Sequence, residues 1–253
     1  MKKRTALIDA DGIAYKIAAA NETLDSYNDI ENLVHEYMNF LFSNTEATHA
    51  VCFIKGAGNF RKDIAKIRPY KGNRNPKRIK WLEAVYHILE KEYLAIASNG
   101  AEADDYIASY AKQLKDSSED YIICSHDKDL KQICGKHFDL NDFDFIDIDE
   151  KDAAYRLYLQ ILCGDSSDNI QGIPKVGIKT AAKILDAGEQ APNGYLVSCI
   201  MAYKDFYGES WPMLFAENYQ LVYLLNNIDL SEPIENGKFI DVNEKLQNME
   251  GAG

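Results

Sequence analysis

Eight carboxylates fall in four short clusters: Asp11; Glu102, Asp104 and Asp105; Asp127 and Asp129; Asp165 and Asp168. A ninth acid, Asp9, stands beside the first. Each cluster sits where an apolar run ends or a helical pattern begins. Oxygen donors gathered in this way suit two or more Mg²⁺ or Mn²⁺ ions rather than zinc. Of the five histidines, His126 alone adjoins a cluster, and it is expected outside the ligand shell. Paired divalent ions lower the pKa of bound water and support a leaving oxygen, which is the chemistry of phosphate-ester hydrolysis. Plainer readings exist for each cluster taken singly. Asp11 can cap a helix, three acids in the first turn from Glu102 to Asp105 complement a helix dipole, and Asp-x-Asp is common in surface loops. Their joint occurrence favours metal.

The fourth cluster runs straight into GIPKVGIKTA at 172–181. The run reads as helix, tight glycine turn, helix. Gly172 and Gly177 allow close backbone approach, the N–H groups near Gly177 open the next helix, and Lys175, Lys179 and Thr180 add charge and a hydroxyl. Such a turn can hold a nucleic-acid phosphate without reading bases; an ordinary αα-hairpin is the alternative. Upstream, residues 61–80 hold nine Lys or Arg and one Asp. Lys71 and Arg74 are candidates for a scissile phosphate, Tyr70 for stacking on a terminal base, and Lys77 and Arg78 for the flanking backbone.

The 253 residues, 46% hydrophobic, suffice for one large core or a core with a smaller module. The net charge of −12 argues by itself against nucleic acid. The charge is uneven, however: the basic segment contrasts with the acids crowded from Asp139 to Asp152, and local fields outweigh the total where a cleft focuses them. No run approaches 18 apolar residues, and the first residues lack a signal-peptide pattern, so no membrane association is expected. Five cysteines without a CxxC spacing suggest free thiols in a reducing, cytoplasmic setting.

Strands are expected at 4–9, 49–54, 93–97, 120–125 and 144–148. Helices are expected from Ile13, at 30–43, at 77–92, from 101 to 114, and from 153 to 164. The first strand is read as turning at Asp11-Gly12, which places Asp9 and Asp11 on one strand face. This alternation implies an α/β fold with a mostly parallel sheet flanked by helices, whose ligands gather beyond the carboxyl ends of the strands. From 164 onward strands give way to helices at 178–187, 195–206 and 212–227. The organisation expected is therefore a core at 1–160, a helical module at 161–230, and a loosely attached extension at 231–253.

With these motifs in order, the chain resembles the structure-specific 5′ nucleases, in particular the phage and bacterial branch: flap endonucleases and the nuclease domain of repair DNA polymerases. AEADD at 101–105, YKGNR at 70–74 and GDSSDNIQGIPKVGIKTA at 164–181 carry the resemblance. It implies a PIN-like core with a helix-hairpin-helix variant, the helix–three-turn–helix. It implies Mg²⁺-dependent cleavage at a 5′ flap, nick, gap or free 5′ end of DNA or an RNA–DNA hybrid. A monomer is expected, and any DNA polymerase is expected as a separate partner. Asp11, Glu102, Asp104 and Asp105 would hold the tighter metal, and Asp127, Asp129, Asp165 and Asp168 the second. Lys71 would stabilise the scissile phosphate, and 172–181 would grip duplex, with a K⁺ ion at the hairpin.

Two departures stand out. Relatives place an acid at the end of the second strand, where this chain has Ile54; Asp9 is the candidate to supply that charge. Residues 75–101 are also too few for the long helical arch of many relatives, so a reduced or open arch is expected. A branched-DNA-binding scaffold with little hydrolysis and a PIN-type ribonuclease remain alternatives; a small-substrate phosphatase would leave the basic segment and the hairpin without a purpose.

Overall fold

In the strand RTALID the residues Ala6, Leu7 and Ile8 are all fully buried, the signature of a strand covered on both faces. The computed structural model describes residues 3–75, 77–189, 193–230 and 239–250. This strand, β1 (Arg4–Asp9), pairs in parallel with β2 (His49–Ala57) on one side and, on the other, with the later strand DYIICS at 120–125. With β3 (Ile96–Asn99), β4 (Asp120–Ser125), β5 (Gly135–Asp139) and β6 (Asp144–Ile148), the order is β3-β2-β1-β4-β5-β6. Only the β5–β6 hairpin breaks the parallel run along this path. The chain order reverses across β1, so the crevice expected to collect ligands lies at the carboxyl ends of β1, β2 and β4.

Helices α1 (Ala10–Ala20), α2 (Tyr27–Thr45) and a third spanning Leu82–Glu92 cover one face of this sheet. Ala6, Ile8, Cys52, Ile54 and Ile122 pack there with Ile13, Val34, Met38, Val85 and Leu89. The helix at Ala103–Asp116 covers the other face, where Phe53 meets Tyr106 and Tyr110 edge-on. In chain order these two helices are α4 and α5, because the short α3 (Arg61–Ile64) precedes them.

The chain divides into two units that are discontinuous in sequence. Unit 1 is Met1–Gly58, Lys77–Ile148 and Leu225–Gly253; unit 2 is Asn59–Pro76 and Asp149–Leu224. This differs from boundaries at 160 and 230. Most of the basic segment, through residue 76, falls in the helical unit, and Arg61 shows why: its side chain is 1% exposed and donates to the carbonyls of Leu221 at 2.9 Å and Tyr223 at 2.8 Å. Unit 2 contains α6 (Glu150–Cys163), the two-residue strands β7 (Gly164–Asp165) and β8 (Ile170–Gln171), α7 (Ile178–Asp186), α8 (Gly194–Tyr207) and α9 (Trp211–Val222). Leu157, Ile161, Leu162, Leu185, Cys199 and Tyr203 form its core. A Cβ on Gly164 would stand 2.3 Å from the Gly172 nitrogen, and one on Gly172 would stand 2.3 Å from the Gly164 nitrogen. Only two glycines let these backbones meet.

Three further expectations are corrected. Strand β5, GKHFD, was not foreseen. The first helix begins at Ala10 rather than Ile13, because the Asp9 side chain accepts from the Gly12 amide at 3.1 Å and caps it. The extension is not loose where it is described: β9 (Ile240–Asp241) pairs with the start of β2, Ile240 and Val242 are buried in the core, and α10 (Val242–Glu250) follows. Residues 77–101 hold α4 and β3, and among the described residues they contain no second helix. No helix among the described residues is long and apolar enough to cross a membrane. The five cysteines are free.

Candidate metal centre and phosphate-binding turn

In unit 1 the tip of β1 is Asp9, not Asp11. Asp9 is 4% exposed and accepts from Gly12 N at 3.1 Å and from the Ser125 hydroxyl at 2.7 Å. Burial pushes its carboxyl up to about 6 despite those two donors, and the charges of Asp11 and Asp127 push the same way. Asp9, Asp11 and Asp127 therefore share one negative field, the condition a divalent cation relieves.

Asp11 lies in the first turn of α1, so the strand-face relation that paired it with Asp9 does not apply. Its Oδ1 accepts from the Tyr86 hydroxyl at 2.5 Å and from the Lys55 amide at 3.4 Å. Burial, then the Asp11 charge, raise the Tyr86 phenol well above its ordinary value. The Lys55 ammonium stands 4.8 Å from the Tyr86 ring centroid. Ile54 is buried among apolar side chains. The acid that reaches β2 beside Ile54 is thus Asp11, from α1, while Asp9 turns toward Ser125 at the end of β4.

The AEADD cluster opens α5. Glu102 is the N-cap and forms a capping box with Asp105. Asp105 is fully buried and accepts from Glu102 N at 2.9 Å and from Leu225 N at 2.8 Å. The helix-capping reading therefore holds for Glu102 and Asp105, and Asp105 also ties the returning chain at 225 to the core. Asp104 stands half-buried in the same turn.

Asp127 and Asp129 follow β4. Asp127 is exposed, its amide donates to the Ser125 hydroxyl at 2.8 Å, and its Oδ1 accepts from Asp129 N at 2.8 Å. His126 turns to the Tyr37 hydroxyl at 3.0 Å and to Asn141 Oδ1 at 3.3 Å. Burial and Lys16 lower its pKa. Among the described residues, no group of three or more His, Cys, Asp or Glu side chains stands in ligating geometry. The donor set still fits a hard cation: it is all oxygen, and it lies in the crevice where the sheet order reverses.

In unit 2 the two most specific motifs dock on each other. Asp168 accepts from the Tyr70 hydroxyl at 2.7 Å and from Arg74 Nη2 at 2.5 Å, with Lys71 Nζ at 3.8 Å. Lys71 N donates to the Asp168 carbonyl at 2.8 Å, and Asn73 Nδ2 to the Ser166 carbonyl at 2.7 Å. Tyr70 is 6% exposed and packs in the core, so its ring is not presented for base stacking as expected. Asp165 accepts from Ser167 N at 2.7 Å and from Gln160 Nε2 at 3.0 Å.

The turn before α7 borders a polar cavity of about 520 Å³ lined in part by Arg68, Asn73, Asn169, Gly172, Lys175 and Gly177. Gly177 is the N-cap of α7, and Lys175 adopts φ +67°. Lys175, Lys179 and Thr180 are exposed. Lys77, which belongs to unit 1, pairs with Glu22 at 3.1 Å, and Arg78 beside it is exposed. The sequence reading missed Lys55, Tyr86, Ser125 and Arg68. Ser125, directly after the apolar strand and two residues before Asp127, was the most readable of the four.

Residues 4–158 match the family described as 5'-3' exonuclease, N-terminal resolvase-like domain, and the chain belongs to that family. A 5'-3' exonuclease of Buchnera aphidicola subsp. Schizaphis graminum is 35% identical over 158 residues, 57% of this chain and 54% of the relative. DNA polymerase I of Bacillus caldotenax is 30% identical over 207 residues, 73% of this chain and 23% of that protein. The chain thus spans about half of the first relative and about a quarter of the second. Flap endonuclease Xni of Shewanella amazonensis is 29% identical over 206 residues, 76% of this chain and 80% of that one. Among solved structures, T5 5'-exonuclease with bound zinc superposes with a TM-score of 0.70 at 18% identity, covering 98% of this chain and 99% of that one; it shows the shared fold.

Proposed function

We propose that this chain is a Mg²⁺- or Mn²⁺-dependent 5′-3′ exonuclease and flap endonuclease, cutting phosphodiesters at or near DNA 5′ ends to leave a 5′ phosphate and a 3′ hydroxyl. The observation that carries this reading is the gathering of Asp9, Asp11 and Asp127 around the carboxyl ends of β1 and β4, where the charges of Asp11 and Asp127 add to the burial that holds the Asp9 carboxyl up to about 6. Family membership and the neighbour described as T5 D15 flap endonuclease in complex with DNA and metal ions support it.

In this reading Asp9, Asp11, Glu102, Asp104, Asp127 and Asp129 hold the ions, and Asp105 mainly orders the turn that presents Glu102 and Asp104. Two ions so held would supply a Lewis acid and water acidified to near neutrality. The resemblance assigns Asp165 and Asp168 to the second ion. Both accept hydrogen bonds within unit 2. Lys71 stands where Asp168 holds it and offers charge to a phosphate as negative charge develops. The α7 N-terminus, Gly172, Gly177, Lys175, Lys179 and Thr180 grip duplex backbone as a helix–three-turn–helix, with a K⁺ ion at 172–181. Arg74, Lys77 and Arg78 extend the basic face. The substrates are 5′ flaps, nicks, gaps and free 5′ ends, with RNA–DNA hybrids included, and the protein acts as an intracellular monomer.

Labelled 5′-flap, nicked and single-stranded DNA, each with Mg²⁺, Mn²⁺ or EDTA, test the proposal. Metal-dependent cuts near the flap junction are expected. The competing reading, a branched-DNA-binding scaffold, is favoured by the buried Ile54 in β2, where relatives place an acid; tight binding with no cut in either metal would select it.

A further inference from the structure

Ser125 ends β4, is 7% exposed, and lies beside the tip of β1 because Ile8 and Cys124 are paired in register. A serine hydroxyl has one proton. Here it is donated to Asp9 Oδ2 at 2.7 Å, and the oxygen accepts the Asp127 amide at 2.8 Å. The rotor is fixed from both sides. The run continues outward at each end: Gly12 N holds Asp9 Oδ1 at 3.1 Å, and Asp129 N holds Asp127 Oδ1 at 2.8 Å. The β4 ladder ends at the Ser125–Asp139 pair, and from there the hydroxyl binds the first turn of the acidic loop to β1.

We infer that Ser125 is a positioning residue that locks Asp9 and Asp127 into one arrangement, so that acids from two strands meet a divalent cation as a preset oxygen pair. This rests on the metal-binding reading above. Asp9 and Asp127 repel each other, and the hydroxyl is the bridge between them: the Gly12 and Asp129 amides each hold one acid and do not link the two. Alanine removes the donor to one acid and the acceptor for the other. Threonine keeps both and suits a strand end. Groups that orient metal ligands in this way are worth about 10- to 100-fold in metal affinity.

A serine that merely supports the loop would lower stability and rate at every metal concentration. A positioning serine moves the metal dependence itself. The test uses the full chain: Mn²⁺ affinity from free-Mn²⁺ electron paramagnetic resonance, the Mg²⁺ half-saturation of flap cleavage, and melting in EDTA, for wild type, Ser125→Ala, Ser125→Thr and Ser125→Cys. Cysteine keeps the shape with a weak donor, which covers an alanine variant that does not fold. Weaker Mn²⁺ binding and a higher Mg²⁺ half-saturation, each by about 10- to 100-fold, are expected for Ala or Cys, with Thr close to wild type and most of the rate recovered at saturating Mg²⁺. Unchanged affinity and half-saturation in Ala and Cys, or Thr as impaired as they are, would overturn the inference alone. A wild type that binds no Mn²⁺ would overturn the functional reading, and the inference with it.

Discussion

The Tyr70 hydroxyl donates to Asp168 Oδ2 at 2.7 Å, joining two motifs 98 residues apart in sequence. A residue placed by its sequence neighbours among DNA contacts is thereby a buried strut of unit 2. Tyr70→Phe removes one hydrogen bond to a charged, buried acceptor and keeps the ring. It should cost about 1.5–3 kcal/mol in denaturant unfolding, with flap affinity unchanged once the protein is folded. Lower affinity at unchanged stability would instead give the hydroxyl a direct part in DNA binding.

The Asp9 carboxyl sits at about 6, above its ordinary value of 3.8, because burial disfavours its charge. Its protonated form therefore contributes stability that is complete below about 3.8 and lost as pH rises through about 6. Melting in EDTA from pH 5 to 7 should show a component of stability that declines with pH in wild type and is absent in Asp9→Asn. Divalent metal should raise the melting temperature more at pH 7 than at pH 5, since a protonated Asp9 is a poor ligand.

A Cβ on Gly12 would lie 2.9 Å from Asp9 Oδ2. In Gly12→Ala the carboxylate must turn away from its present donors, which weakens a cap worth about 1 kcal/mol. Alanine returns about 0.8–1 kcal/mol of helix propensity. The two effects nearly cancel, so the melting temperature should hardly move while the cleavage rate at limiting Mg²⁺ falls about tenfold or more. A matching loss of stability would show that the cap, rather than the aim of the carboxylate, had been damaged.

Lys175 and Lys179 are exposed beside the α7 N-terminus. Replacing either with alanine should weaken flap binding uniformly across sequences. It should also lower the slope of log affinity against log salt by about one for each phosphate that the lysine neutralises. Filter binding across a salt series measures both, and an unchanged slope would remove the turn from the DNA interface.

What was legible in the sequence was local chemistry. The acids and the glycine turn carry their meaning in neighbouring residues, and each lies at a strand end or a helix start. Three things were not local. Asp9 became the strand tip only because its side chain reaches Gly12 and starts the helix three residues earlier than its apolar pattern suggests. Strand β5, GKHFD, lacks the β-branched residues that announce a strand and exists because β4 and β6 flank it. The unit boundary escaped because Arg61 is satisfied by carbonyls at 221 and 223, and the tail after Leu225 returns to the first unit through Asp105 and β2.

The proposed chemistry turns on how metal binding divides between Asp9, at the end of β1, and Asp11, in the first turn of α1. The most direct measurement sets Asp9→Asn beside Asp11→Asn, reading single-turnover flap cleavage in Mg²⁺ and Mn²⁺ affinity for each. Asp9→Asn is expected to lose orders of magnitude in rate together with its metal affinity. Asp11→Asn is expected to lose less, because Asp11 lies in the first turn of α1 rather than at the strand tip where β1 and β4 meet. Wild-type rate and affinity in Asp9→Asn, with both abolished in Asp11→Asn, would contradict this assignment.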